Sequence, residues 1–189
     1  MHSNKGKIRI IAGEYRGRRL SVPDRPGLRP TPDRVRETLF NWLGQSLDGL
    51  SCLDLFAGSG ALGFEAASRG AARVVMVEHD RAAFAALRGS LEVLKAKQVE
   101  LVLEDAFAFL KRAASFDVVF LDPPFGQNAL PTVFKYLKGV AGMRVYVESD
   151  APFTPDEGWR ELKRARAGQV SYQLLQWRGD DQGGLPGNV

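Results

Sequence analysis

One cysteine and two histidines are all that this chain of 189 residues offers to thiol and imidazole chemistry. A lone thiol closes no disulfide within the chain, and so few soft ligands argue against zinc, so no metal is expected. Cys52 stands inside an apolar run and reads as a small buried side chain. Long apolar stretches are missing as well: none approaches the ~20 residues that a bilayer crossing requires. The opening Met1-His2-Ser3-Asn4-Lys5-Gly6-Lys7 has no apolar h-region, and no internal repeat is visible. The expectation is a soluble, cytoplasmic protein without membrane contact, long enough to bury one full core.

Charge is present in quantity but unevenly placed. Residues 1–45 hold ten Lys/Arg against four Asp/Glu, a net +6, while the remainder nets −2. A basic amino-terminal segment on a mildly acidic body suits a surface that faces a polyanion. A solvated charged edge is the plainer alternative.

Lys7–Ala12 and Arg18–Val22 read as two short strands around the glycine-bracketed turn Gly13-Glu14-Tyr15-Arg16-Gly17, which predicts a hairpin. Pro23, Pro26 and Pro30 mark a linker. Thr31-Pro32 then predicts a helix start, with Thr31 as N-cap and Pro32 at the first helical position. Val35, Leu39 and Trp42/Leu43 lie along one face of that helix, with Arg34 and Arg36 off it.

From residue 51 the pattern alternates. Apolar runs at 52–56, 74–77, 99–103, 118–121 and 145–147 are separated by helical stretches at 61–69, 81–96, about 106–113 and 129–138. That is an α/β protein, a doubly wound and mostly parallel sheet with helices on both faces. Two longer strands, 159–166 and 169–178, flank Ala167-Gly168 and predict an antiparallel hairpin at the carboxyl-terminal end. The organisation expected is a basic hairpin and helix over 1–46, an α/β body over 47–178 and a glycine-rich disordered tail over 179–189.

Two strand ends carry the chemistry. The first runs into Asp54-Leu55-Phe56-Ala57-Gly58-Ser59-Gly60-Ala61-Leu62-Gly63, a glycine turn where backbone admits a ligand closely. Glu78 follows Gly58 by 20 residues, the dinucleotide spacing, which taken alone predicts an NAD-dependent oxidoreductase. Two features favour S-adenosylmethionine instead. Asp54 can receive the amino acid part of that cofactor, where a pyrophosphate gains nothing from a carboxylate. Asp105, closing the third strand, can accept from an adenine amino group. Each acid taken singly also fits a helix N-cap, Asp105 best of them.

The second strand end is Asp122-Pro123-Pro124-Phe125, after the apolar run 116–121. The prolines have fixed φ and no N–H, so their carbonyls are left to accept from a ligand. Asp122 adds a side-chain acceptor and Phe125 a flat face for a planar ring. Such a ledge suits the exocyclic amine of a nucleobase; a Pro-Pro turn with a core Phe is the plainer account.

With both halves in view the chain resembles a class I methyltransferase, and more narrowly the bacterial 16S ribosomal RNA (guanine-N(2))-methyltransferases of the RsmD type. The likeness covers roughly residues 7–178. It rests on Ile10–Gly13 with Gly17-Arg18, on Arg29-Pro30-Thr31-Pro32-Asp33-Arg34-Val35-Arg36-Glu37, on Asp54–Gly60, on Val77-Glu78 with Asp80, and on Asp122–Phe125. The glycine turn and the ledge are shared by many amino methyltransferases; the Arg-Pro-Thr stretch and basic hairpin are the specific part.

The resemblance implies a seven-stranded Rossmann-like sheet, S-adenosylmethionine as donor and a guanine of 16S ribosomal RNA as acceptor, met within a small-subunit assembly particle by a monomer. By motif, Asp54, Gly58 and Gly60 would hold the cofactor and Glu78 its ribose, with Phe56, Ala57, His79, Asp105 and Ala106 beside them. Asp122, Pro123 and Phe125 would hold the target base. Arg16, Arg18, Arg19, Arg29, Arg34 and Arg36 would grip RNA phosphates, positioning the substrate without reading its sequence. An adenine amino methyltransferase acting on DNA or RNA is the runner-up. A dehydrogenase and a catalytically silent RNA-binding assembly factor are the alternatives from other classes.

Overall fold

The computed structural model describes residues 6–22, 31–124, 128–137 and 143–178. The linker prolines Pro23, Pro26 and Pro30 and the tail over 179–189 fall outside these. The chain opens with an antiparallel hairpin of β1 (Lys7–Arg9) and β2 (Arg19–Ser21), in which Ile8 faces Leu20 and Arg9 faces Arg19. Helix α1 (Asp33–Leu43) leads to the alternating body: β3 (Ser51–Asp54), α2 (Ala61–Ser68), β4 (Arg73–Glu78), α3 (Arg81–Leu94), β5 (Val99–Leu103), α4 (Ala106–Leu110), β6 (Val118–Leu121), α5 (Leu130–Tyr136) and β7 (Arg144–Ser149). Strands β8 (Trp159–Ala167) and β9 (Val170–Trp177) close it.

Seven strands make one sheet in the order β5-β4-β3-β6-β7-β9-β8. The first five are parallel; β9 lies antiparallel to β7, and β8 antiparallel to β9. The predicted mixed sheet and its carboxyl-terminal hairpin are therefore both present. Among the described residues no helix is long and apolar enough to cross a membrane.

Strand residues alternate between two cores, as the period of two demands. Cys52, Val74, Met76, Val118, Phe120 and Tyr146 pack with the hairpin, α1, α2 and α3. Leu53, Val75, Val77, Val119, Leu121, Val145 and Val147 pack with α4 and α5 on the opposite face. Cys52 is fully buried, and burial pushes its thiol up to about 12, which leaves it inert as a nucleophile.

The amino-terminal segment shares the first of these cores, through Ile10, Tyr15, Leu20, Val35 and Leu39. Its backbone is clamped to α2. Ile11 N and Ala12 N donate to the Glu65 carboxylate, Tyr15 N donates to Ser68 Oγ, and Glu14 N donates to the Ser68 carbonyl. Gly13 is obligatory at this contact: it has φ +79°, and a Cβ there would stand 1.7 Å from the Ser68 oxygen.

Two local expectations need correction. Thr31 is not the N-cap of α1. The helix starts at Asp33 behind Pro32, whose carbonyl takes Val35 N and Arg36 N, and no side chain caps it. Thr31 is buried, and its hydroxyl acts electrostatically on Asp122 and Glu148 at the sheet edge, lowering the proton affinity of each. Arg36 is not an outward charge either. It is 1% exposed and donates to the carbonyls of Thr31 and Arg9 and to the carboxylates of Asp33 and Glu65. With four of its five N–H groups bonded to the protein and the side chain buried, this guanidinium does not face a phosphate.

Candidate active site

The carboxyl edge of the parallel strands gathers the acids. Asp54 ends β3, Glu78 ends β4 and Asp105 follows β5, and these three strands are neighbours. On the other side of β3, β6 runs into Asp122-Pro123-Pro124. Asp54 is in register with Phe120, so the glycine turn and the ledge stand side by side.

Asp54 is 2% exposed, and its Oδ2 accepts from Gly63 N at 2.9 Å in the first turn of α2. Burial pushes its carboxyl up to about 7, with the charge of Glu78 adding and the Gly63 bond opposing. A buried acid at that value is short of a cation. Glu78 is also buried, and both of its oxygens are oriented by backbone: Oε2 accepts from Gly58 N at 2.8 Å and Oε1 from Asp80 N at 2.7 Å. The 20-residue spacing thus has a direct physical basis, because Glu78 shapes the very turn it follows. Gly60 completes that turn at φ +78°, where a Cβ would lie 2.6 Å from the Phe64 ring.

Asp105 is exposed and caps α4, with Oδ1 accepting from Phe107 N and Ala108 N. The cap engages Oδ1, so a ligand amine approaching Oδ2 is compatible with it. At the start of α3 the capping acid is Asp80, not Glu78. His79, exposed, sets Nδ1 3.3 Å from Glu78 Oε1. Ala57 and Ala106 are buried, and Phe56 is half-buried. This set of acceptors fits a cationic nucleoside such as S-adenosylmethionine: carboxylates await an ammonium and ribose hydroxyls. It would repel a pyrophosphate, which removes the physical ground for NAD.

Asp122 is half-buried, and its carboxyl is held well above the usual carboxylate range by burial first, then by the charges of Glu148 and Asp54; the Thr31 hydroxyl opposes. Pro123 is buried and Pro124 exposed. Both wall a cavity of about 210 Å³ with Glu148, Ser149, Asp150 and Phe153 from the end of β7 and the residues after it. Reading the motifs along the chain misses Glu148, although an acid closing the apolar strand 145–147 is visible in the sequence. Phe125 and Arg29, expected to stack on the base and to hold phosphate, lie outside the described residues.

A family model described as conserved hypothetical protein 95 matches residues 8–176. Ribosomal RNA small subunit methyltransferase D of Escherichia coli (strain K12) is 46% identical over 184 residues, covering 93% of this chain and 92% of that protein. The protein of the same name from Haemophilus influenzae is 45% identical, covering 91% of this chain and 95% of that one. The chain belongs to the ribosomal RNA small subunit methyltransferase D family. The solved structure of yhhF from Escherichia coli superimposes on it with a TM-score of 0.85 at 42% identity, over 93% of this chain and all of that one.

The fold separates the basic hairpin from the acids of this edge. Arg16, Arg18, Arg19 and Arg34 are exposed. The hairpin turn that bears Arg16 sits against Ser68 at the carboxyl end of α2, whereas the glycine turn opens that helix. Eight helical residues span about 12 Å, so the turn that bears Arg16 lies beside the site and not in it.

Proposed function

We propose that this protein transfers a methyl group from S-adenosylmethionine to the 2-amino group of a guanine in 16S ribosomal RNA of the small subunit. The observation that carries the reading is the register of β3 with β6, which sets an Asp-Pro-Pro ledge beside a glycine turn flanked by buried carboxylates. The protein acts as a monomer in the cytoplasm, on RNA within a small-subunit assembly particle.

S-adenosylmethionine, when bound, supplies an electrophilic sulfonium methyl. Asp54 would pair with its ammonium, and Glu78 and Asp105 would accept from ribose and adenine. The Asp122 carboxyl and the Pro123 carbonyl accept the two N–H groups of the guanine 2-amine, which favours a pyramidal nitrogen and aims its lone pair toward the glycine turn. Proximity and orientation then supply much of the rate. When the N–CH₃ bond has formed, the nitrogen sheds a proton. Asp122, its proton affinity raised by burial, Glu148 and Asp54, is the acceptor at hand. A base paired in a helix cannot reach the ledge, so the target is looped out or flipped.

The test is methyl transfer from labelled S-adenosylmethionine to small subunits that lack the modification, followed by nucleoside analysis. Labelled N(2)-methylguanosine is expected; labelled methyladenosine would replace guanine by adenine in the reading.

A further inference from the structure

Strands β6 and β7 are parallel and their ladder ends with Leu121 opposite Val147, so Asp122 and Glu148 are the residues that follow its last pair. Neighbouring strands run about 4.8 Å apart, and both acids continue the face that carries Phe120 and Tyr146. Glu148 is 5% exposed and accepts from the Tyr146 hydroxyl at 2.8 Å. The Thr31 hydroxyl stands beside both acids and lowers the proton affinity of each. Glu148 also walls the cavity beside Pro123 and Pro124.

The transfer step uses Asp122 and leaves Glu148 without a task. Tyr146 alone is a poor reason for a buried carboxyl, since a hydroxyl is satisfied by many groups at a smaller desolvation cost. The pairing edge of guanine offers N1–H beside its 2-amine, two donors in a row. Adenine offers an amine beside a bare N1 lone pair. Two carboxylates side by side are complementary to the first edge and set an acceptor against the lone pair of the second.

We propose that Glu148 is a specificity-determining residue, which accepts N1–H of the target guanine while Asp122 holds its 2-amino group. This rests on the guanine reading above. Burial raises the proton affinity of both acids, and the charge of Glu148 adds to the effect at Asp122. Two N–H donors would relieve that repulsion. A site built around a donor rejects a ligand that lacks it, because its own buried acceptor is then left unpaired.

Small subunits reconstituted with either guanosine or 2-aminopurine riboside at the methylated position isolate this contact. 2-Aminopurine keeps the 2-amine and replaces N1–H with a lone pair. The wild-type protein is expected to favour guanosine by at least about 100-fold in kcat/KM. In Glu148→Gln the amide oxygen can still accept from Tyr146 while its NH₂ turns toward N1, so the preference is expected to fall at least about tenfold or reverse. A second variant, Glu148→Asp, keeps the charge but withdraws it, and is expected to lose more rate on guanosine than on 2-aminopurine. Equal wild-type rates on the two particles would overturn the proposal without any variant, as would an unchanged preference in Glu148→Gln. No N(2)-methylguanosine from wild type on guanosine particles would instead overturn the guanine reading itself.

Discussion

Asp54 is a carboxyl removed from water whose bond to Gly63 N opposes, without cancelling, the cost of burial. Its native pKa of about 7 lies above the unfolded value of 3.8, so between these the native state holds more protons than the unfolded chain. Stability contributed by Asp54 is therefore complete below pH 3.8 and is lost as pH rises toward 7. Asp54→Asn is expected to abolish this slope, raising the denaturation midpoint relative to wild type more at about pH 8 than at about pH 5. The cofactor has the opposite dependence. A cationic ammonium favours the carboxylate, so binding near neutral pH releases a proton and tightens from about pH 6 to about pH 7, above which the ammonium begins to lose its own proton; calorimetry at about pH 6 in two buffers of different ionisation enthalpy measures the released proton, and uptake would exclude the pairing. Asp122→Ala should separate the two halves, leaving cofactor affinity nearly unchanged while single-turnover methyl transfer falls about 100-fold; wild-type turnover would remove Asp122 from the mechanism. The places of Asp54, Glu78 and Asp122 at strand ends were legible because the apolar runs stop at them. The place of Thr31 was not, because a Thr-Pro pair before a helix looks like a cap until the strand ends that it reaches are in place.

Helix α2 shows how an element can be misjudged on its neighbour's account. Every residue from Ala61 to Ser68 is buried, Glu65 included, and its carboxylate takes Ile11 N, Ala12 N, Arg36 and Arg69. A single acid in an otherwise apolar helix was a sign that something must come to meet it. Helical periodicity gave the angle of Arg36 on α1 but not the element packed there, so a buried tie read as a surface charge. Arg36→Ala removes one of two guanidinium partners of a buried carboxylate and strands its own acceptors. It is expected to cost about 3 kcal/mol in denaturant unfolding, toward the lower end of the range for a broken buried pair because Arg69 remains. Arg34→Ala, on the same helix but exposed, is expected to change stability by less than about 0.5 kcal/mol. Equal effects of the two would mean that the clamp between α1, α2 and the hairpin contributes little.

Across the whole molecule the alternation of runs was enough to predict a parallel sheet with two covered faces, since inward positions repeat every second residue on each strand. Strand order was not legible that way: β3 sits between β4 and β6 because of where the crossovers return, which periodicity does not encode. That order puts the acids along one edge while the basic hairpin packs lower on α2. Arg9 and Arg19 stand directly opposite one another on the exposed face of the hairpin, an arrangement that repels unless an anion covers it. Asp33 pairs with Arg9 at 3.3 Å, which leaves Arg19, with Arg16 and Arg18 near the turn, as the charges best placed for RNA phosphates. Replacing Arg16, Arg18 and Arg19 together by Ala should therefore weaken ribosomal RNA binding and leave cofactor affinity unchanged. Every phosphate that the variant no longer neutralises lowers the log–log salt slope by about 0.7 for single-stranded RNA or 0.9 for a duplex, so three phosphates amount to roughly two to three units. Because Arg36 is committed to Glu65 and Asp33, it adds nothing to this slope. A salt titration of wild type and triple variant against one small-subunit RNA fragment measures the difference, and superimposable curves would place the RNA on another face.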